Sequence, residues 1–255
     1  MRLNKYISHN SKYSRREADK LIFDGKVRVN NKLCTNPATD VQEGDKIVIN
    51  GTYIKRKDEY SVIVYNKMKG ELVTKSDPRG RKTIFHSLPT RFRHFMPIGR
   101  LDFASEGLIL LSDSHEVVET LMTSDLPRVY RIKIQGDITD SIITAMKEGV
   151  VIDNKKGAHE LSNIIHLEIK PFINFEIIKN KPDYSILKVS ISEGKNRELR
   201  RFFANFDREV VELKRYSYGW VALNNLKSGK WRFLDSQEYK LLHDYLKLKK
   251  KEKNG

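Results

Sequence analysis

The segment Pro97-Ile98-Gly99-Arg100-Leu101-Asp102-Phe103-Ala104-Ser105-Glu106-Gly107-Leu108-Ile109-Leu110-Leu111 puts one aspartate and one arginine in a glycine-bounded loop that feeds an apolar strand. An aspartate at such a place is often a turn or cap residue. Held against the core with an arginine nearby, it would stay charged and could act as a nucleophile. The residues alone leave both readings open. Ordinary glycoside hydrolysis uses two carboxyl groups flanking the bond. A single carboxylate suits chemistry with one nucleophile and no added water. Metal chemistry has little support, because His86, His94, His115, His159 and His166 are scattered without ligand spacing. Cys34 is the single cysteine and reads as packing. Gly70 and Gly80 do not make a phosphate loop.

The chain has 255 residues, 48 Lys and Arg, and 33 Asp and Glu, for a formal net charge of +15. That surplus points to a polyanion, most simply nucleic acid. Hydrophobic residues make up 39%, enough for a core, which excludes wholesale disorder. The apolar run Leu108 to Leu111 is far short of the roughly 20 residues of a membrane span. Residues 1–5 carry no apolar stretch, so no secretory signal is expected. One cysteine allows no internal disulfide, in keeping with a reducing cytoplasm.

Between Arg2 and Arg28 there are eight Lys and Arg against three acids. Leu3, Tyr6 and Ile7 mark a short helix, and Ser14 with Glu17 forms a capping box that opens a second. Arg15 and Arg16 in its first turn oppose the helix dipole. Either they are a solvated face, or a phosphate backbone neutralises them. Val27, Val29 and Leu33 around Asn30-Asn31 read as a strand–turn–strand, Glu43-Gly44-Asp45 as a turn, and Ile47 to Ile49 as a strand. Ile54 to Glu59 reads as a linker. Beyond it come strands over Tyr60 to Tyr65, Leu108 to Ser112 and Val129 to Ile134, and a helix capped by Ser114. Asn196 to Phe206 is expected to be helical, with Leu199, Phe202, Phe203 and Phe206 on one face. Strands outnumber helices irregularly, which predicts an α+β fold with a mainly antiparallel sheet.

Residues 2–49 resemble the small S-four-like, or alpha-L, RNA-binding module. The resemblance rests on Arg2-Leu3-Asn4-Lys5-Tyr6, Ser14-Arg15-Arg16-Glu17-Ala18 and Gly25-Lys26-Val27-Arg28-Val29-Asn30. It implies RNA contact through Arg2, Lys5, Arg15, Arg16, Lys20 and Arg28.

Gly99 to Leu111 is similar to the catalytic motif of pseudouridine synthases, G-R-L-D-x-x-[TS]-x-G-L-[LI]-L-L, here with Ala104-Ser105 where the family commonly has an acid or amide and Thr. Arg128-Val129-Tyr130-Arg131-Ile132 and Glu193-Gly194-Lys195-Asn196-Arg197-Glu198-Leu199-Arg200-Arg201 resemble two further motifs in the same order. The set is similar to the RsuA/RluB-type ribosomal RNA branch. The resemblance implies an N-terminal RNA-binding module over 1–58, and a catalytic domain over 59–255 with a mainly antiparallel mixed sheet flanked by helices. It implies Asp102 as the catalytic carboxylate, Arg200 as its partner, and Tyr130 stacked under the uracil. Arg100 would fill the gap left by a flipped uridine or hold a phosphate. Arg197 and Arg201, expected to point toward solvent or RNA, would place RNA together with Lys214 and Arg215. The isomerisation implied needs no cofactor and no metal. The expected partner is ribosomal RNA or an assembly intermediate, with large-subunit RNA favoured by the Asn-Arg-Glu-Leu-Arg-Arg wording, and the expected state is a cytoplasmic monomer. The alternatives are a catalytically silent RNA-binding or ribosome-assembly protein and a general basic binder of nucleic acid or membrane surface.

Overall fold

The structure, a computed structural model, describes residues 1–254 apart from 12, 43, 55–59, 160 and 161, and also leaves aside the side chains of 9, 253 and 254. The predicted linker over Ile54 to Glu59 and the 58/59 boundary therefore fall largely outside the described residues, as does Glu43 of the predicted turn.

The N-terminal part pairs helices α1 (Leu3–Asn10) and α2 (Arg15–Phe23) with strands β1 (Val27–Val29), β2 (Lys32–Leu33), β3 (Ile47–Ile49) and β4 (Thr52–Ile54). The capping box of α2 is present: the Glu17 N–H donates to Ser14 Oγ, and the Ser14 N–H donates to Glu17 Oε2 at 2.7 Å. The strands form an antiparallel sheet in the order β2-β1-β3-β4. Asn30 and Asn31 both take positive φ, the geometry of a tight hairpin turn. Leu3, Ile7, Ala18, Ile22, Val27 and Ile47 close a small core of their own.

The larger part runs β5 (Val62–Lys67), α3 (Ile84–Ser87), β6 (Met96–Pro97), β7 (Glu106–Ser112), α4 (His115–Met122), β8 (Arg128–Gln135), α5 (Asp140–Glu148), β9 (Val150–Asp153), β10 (His166–Ile169), β11 (Asn174–Asn180), β12 (Tyr184–Ile191), α6 (Glu198–Asn205), β13 (Val210–Tyr218), β14 (Val221–Ala222), β15 (Trp231–Phe233) and α7 (Ser236–Asn254). Among the described residues nine of these strands share one sheet, whose main path is β11-β12-β8-β13-β7-β5-β15. All its pairs are antiparallel except β7 with β13. The mixed, mainly antiparallel α+β fold is as the sequence predicts.

β5 and β7 are buried on both faces, which explains their unbroken apolar runs. Ile63, Tyr65, Ile109 and Leu111 join one core with Leu199, Phe202 and Phe203 of α6. Val62, Val64, Leu108 and Leu110 join a second with Val117 and Leu121 of α4 and Leu242 of α7. β8 alternates instead, with Tyr130, Ile132 and Ile134 inward and Arg131 and Lys133 less buried. No helix among the described residues is long and apolar enough to cross a membrane.

The parallel join of β7 and β13 depends on Gly107. Its φ is +106°, and a Cβ there would lie 2.2 Å from the Arg215 carbonyl oxygen. Backbone cannot step aside as a flexible side chain can. Gly107→Ala is expected to destabilise the protein by about 2 kcal/mol or more, read from urea denaturation; an unchanged midpoint would show that the two strands have room to part.

Candidate active site

A cleft of about 190 Å³ opens where the loop before β7 meets the start of α6. Arg100, Asp102, Tyr130, Arg197, Arg200 and Arg215, separated by up to 115 residues in sequence, all line it.

Asp102 sits on the turn closed by the Ser105 N–H to the Asp102 carbonyl at 3.0 Å. Two guanidinium groups meet its carboxylate, Arg197 Nη1 at 3.2 Å and Arg200 Nε at 3.4 Å, both on Oδ2. Oδ1 takes part in neither pair. The Arg197 contact is a hydrogen bond. The Arg200 Nε contact lacks hydrogen-bond geometry and is a charge pair. Arg200 is anchored elsewhere, donating to the Val210 carbonyl at 2.8 Å and to Ser105 Oγ at 3.3 Å. Burial and the neighbouring Arg197 push its proton affinity down, while Asp102 holds it up. A buried guanidinium without an anion costs several kcal/mol, and the Asp102 carboxylate offsets part of that cost for Arg200.

The expectation that Arg197 points to solvent or RNA is corrected. Arg197 has φ +51°, the left-handed region, at the residue before α6 begins. That turn carries its side chain back over the cleft, where Nε donates to the Gly157 carbonyl at 2.7 Å. A left-handed non-glycine residue costs roughly 1–2 kcal/mol. The contacts to Gly157 and Asp102 hold it there. Arg201 also departs from expectation: it is only 1% exposed and donates through Nη2 to the carbonyls of Asn154 and Ile165. It ties α6 to the loop after β9 and presents no surface to RNA.

Tyr130 is buried on β8 beside the cleft, and its hydroxyl lies 3.4 Å from Arg215 Nη1. Arg215, expected as a surface RNA contact, is buried as well. Its Nε donates to the Leu108 carbonyl at 2.7 Å, and its guanidinium lies between the Tyr130 and Tyr218 rings. Register explains this: Arg215 is opposite Tyr130 on one side and Gly107 on the other, so it faces the same way as Tyr130. Lys214, its neighbour, faces away from the cleft on the far side of the sheet. Arg100 is exposed at the cleft mouth.

Lys67 is a central residue that the sequence reading passed over. It ends β5, is fully buried, and its Nζ donates to the carbonyls of Met68 at 2.9 Å, Asp102 at 3.1 Å and Ser105 at 2.7 Å. One ammonium thus satisfies three carbonyls and fixes both ends of the Asp102 turn. Burial pushes its pKa down to about 8, against the pull of Glu71, Asp102 and Glu106.

In the N-terminal part Arg2, Arg15, Arg16, Lys20 and Arg28 are exposed. Arg28 Nη1 donates to the Asn31 carbonyl. Lys5 is half-buried and pairs with Glu119 of α4 at 3.3 Å, so it joins the two parts of the molecule. No cluster of three or more metal-binding side chains occurs among the described residues.

Residues 61–205 match the family model for RNA pseudouridylate synthases, and residues 1–47 match the S4 domain. This chain belongs to the RNA pseudouridylate synthase family. An RNA pseudouridine synthase of Helicobacter pylori is 49% identical over 249 residues, covering 96% of this chain and 95% of that protein. Ribosomal large subunit pseudouridine synthase B of Bacillus subtilis is 32% identical over 94% of this chain and 95% of its own length. A crystal structure of a pseudouridylate synthase shares the fold over 95% of this chain and 99% of that one, with a TM-score of 0.64 at 23% identity. The pseudouridine synthase fold thus supplies the large sheet and the cleft, and the S4 domain supplies the basic helix pair.

Lys67→Met removes the donor for three carbonyls and is expected to cost about 3 kcal/mol of stability and most of the activity. The pH dependence separates charge from packing. Between about 8 and the ordinary 10.5, the unfolded chain keeps the Lys67 proton and the folded chain releases it. More protons are bound unfolded, so this group makes stability rise with pH in that window. The slope of unfolding free energy from pH 8 to 10 is therefore expected to be more positive in the wild type than in Lys67→Met; equal slopes would mean that Lys67 keeps an ordinary proton affinity in the fold.

Proposed function

We propose that this synthase isomerises a uridine of ribosomal RNA to pseudouridine, with large-subunit RNA the favoured substrate. The observation that carries the reading is the carboxylate held on Oδ2 by Arg197 and Arg200 at a cleft lined by Tyr130. The wording of the Asn196–Arg201 motif and the likeness to the Bacillus subtilis large-subunit enzyme support the choice of subunit.

In the proposed reaction the bond between N1 and the ribose C1′ breaks, the uracil turns, and a bond from C5 to C1′ replaces it. The C5 proton leaves and N1 carries a proton in the product. Substrate and product have the same atoms, so no cofactor, metal or energy source is consumed. Asp102 acts toward the sugar through Oδ1, the oxygen outside the two ion pairs, either by bonding to C1′ or by promoting a glycal. Arg197 and Arg200 hold the carboxylate in place and aimed. Tyr130 packs under the detached base while it turns. The uridine leaves its stack to enter the cleft, and Arg100 at the mouth fills the vacancy or holds a phosphate. The exposed cations Arg2, Arg15, Arg16, Lys20 and Arg28 give the S4 domain its hold on the RNA backbone. We place the protein in the cytoplasm as a monomer, with residues 1–58 and 59–255 as its two domains.

Asp102→Asn is expected to abolish tritium release from RNA carrying 5-tritiated uridine, by at least a thousandfold, with RNA affinity within a few-fold of wild type. Release at near wild-type rate from the purified variant would refute the assignment. Tyr130→Phe is expected to keep more activity than Tyr130→Ala, measured by the same release; equal losses would shift the role from the ring to the hydroxyl.

A further inference from the structure

One face of the large sheet is covered only in part. α4 and α7 pack over β5 and β7, on the side carrying Val62, Val64, Leu108 and Leu110. β13 adds Tyr218 at its end to that core, and across β8, β12 and β11 the same side carries no buried apolar row. Its residues follow from register. Lys188 on β12 is opposite Arg131 on β8, Arg131 is opposite Lys214 on β13, and Lys214 is opposite Glu106 on β7. Three cations thus stand side by side on adjacent strands, about 5 Å apart at Cβ. Like charges directly opposite one another destabilise a sheet, so folding does not explain the row.

Acids are near, but they do not cancel it. Glu176 is opposite Lys188 on the outer strand, Glu106 closes the inner end, and Glu212 is opposite Lys133. Among the described residues none of Lys188, Arg131 and Lys214 forms an ion pair within 4 Å. Two tyrosines interleave with the cations. The Lys133 and Lys179 ammonium groups lie 4.8 and 4.6 Å from the centre of the Tyr184 ring, and Lys214 lies 5.4 Å from that of Tyr216. Tyr216 is 40% exposed. Cations standing beside aromatic rings on an open sheet face are the chemistry of a phosphate backbone and of bases that stack.

We propose that this open face is a second RNA-contact surface, which grips backbone phosphates of the RNA flanking the target uridine through Arg131, Lys188 and Lys214. The proposal rests on the reading of the cleft as an RNA site. Tyr130 and Arg131 are consecutive on β8, as are Arg215 and Lys214 on β13, so cleft and open face lie back to back across one sheet. An RNA that extends beyond the stem presenting its uridine to the cleft would meet this row by passing around the sheet edge. It therefore adds affinity for long RNA without reading sequence.

The test compares the full-length wild type with the double variant Arg131→Gln/Lys188→Gln. Each is titrated between 50 and 200 mM salt with a long ribosomal RNA fragment and with a hairpin just long enough to present one uridine to the cleft. On the long fragment the variant is expected to have a log affinity–log salt slope shallower by about 1.5–2, so that the wild type loses about tenfold more affinity over that range. On the hairpin the two slopes coincide. Because the substitutions remove repulsion, the thermal midpoint of the variant is not lowered. Equal slopes on the long fragment would overturn the proposal, as would a midpoint lowered by several degrees, which would make the cations structural. Loss of binding to an acidic ribosomal protein with RNA binding intact would assign the face to protein and overturn it too. Tritium release by the wild type is measured alongside, so that failure of the catalytic reading is told apart from failure of this surface.

Discussion

The carboxylate of Asp102 lies between two guanidinium groups, and the arrangement of the catalytic part follows from holding it there. An aspartate one-third exposed would be screened by water and free to turn. Here its turn is pinned from below by the Lys67 ammonium and its Oδ2 from the side by Arg197 and Arg200. The two arginines reach one oxygen from different supports: Arg200 hangs from the Val210 carbonyl and Ser105, and Arg197 from Gly157. Neither can drift without giving up a hydrogen bond unrelated to Asp102. That redundancy is what leaves the second carboxylate oxygen uncommitted and still oriented.

The large sheet turns this local constraint into a site. Gly107 lets β13 approach β7, which brings Arg215 under Tyr130 and beside the Leu108 carbonyl. The guanidinium groups of Arg200 and Arg215 are buried and hydrogen-bonded at the cleft, whereas Arg2, Arg15, Arg16 and Lys20 of the S4 domain are exposed, and Lys188, Arg131 and Lys214 of the open sheet face form no ion pair among the described residues. Buried arginines shape the cleft and exposed ones meet solvent or polyanion. One positively charged composition thus serves two separate purposes.

Much of this was legible in the sequence, and the misses have physical causes. The capping box at Ser14, the Asn30-Asn31 hairpin and the alternation of β8 are local signals, and each appears where the residues put it. Asp102, Tyr130 and Arg200 could be picked out because their motifs are ordered along the chain, and the cleft brings them together. Arg197 was misjudged because the helix was expected to start at Asn196. It begins at Glu198, and one left-handed residue reverses the side chain. Arg201 looked like a solvent-facing cation on the helix wheel; the carbonyls that bury it come from a loop about 40 residues earlier. Lys67 drew no reading from the sequence, because the carbonyls that make it central lie 35 and 38 residues on. β4 is different: the Asn50-Gly51 turn before it is a readable hairpin signal that drew no reading, and the linker took in only Ile54 of the strand.

The most direct measurement is a crystal structure of the protein with a ribosomal RNA hairpin containing the target uridine. The geometry predicts the uridine outside its helix, with Asp102 Oδ1 about 3–3.5 Å from the ribose C1′, both guanidinium groups still on Oδ2, and the Tyr130 ring against the base. A complex in which the RNA lies elsewhere on the protein, or in which the arginines leave the carboxylate to bind phosphate, would contradict it.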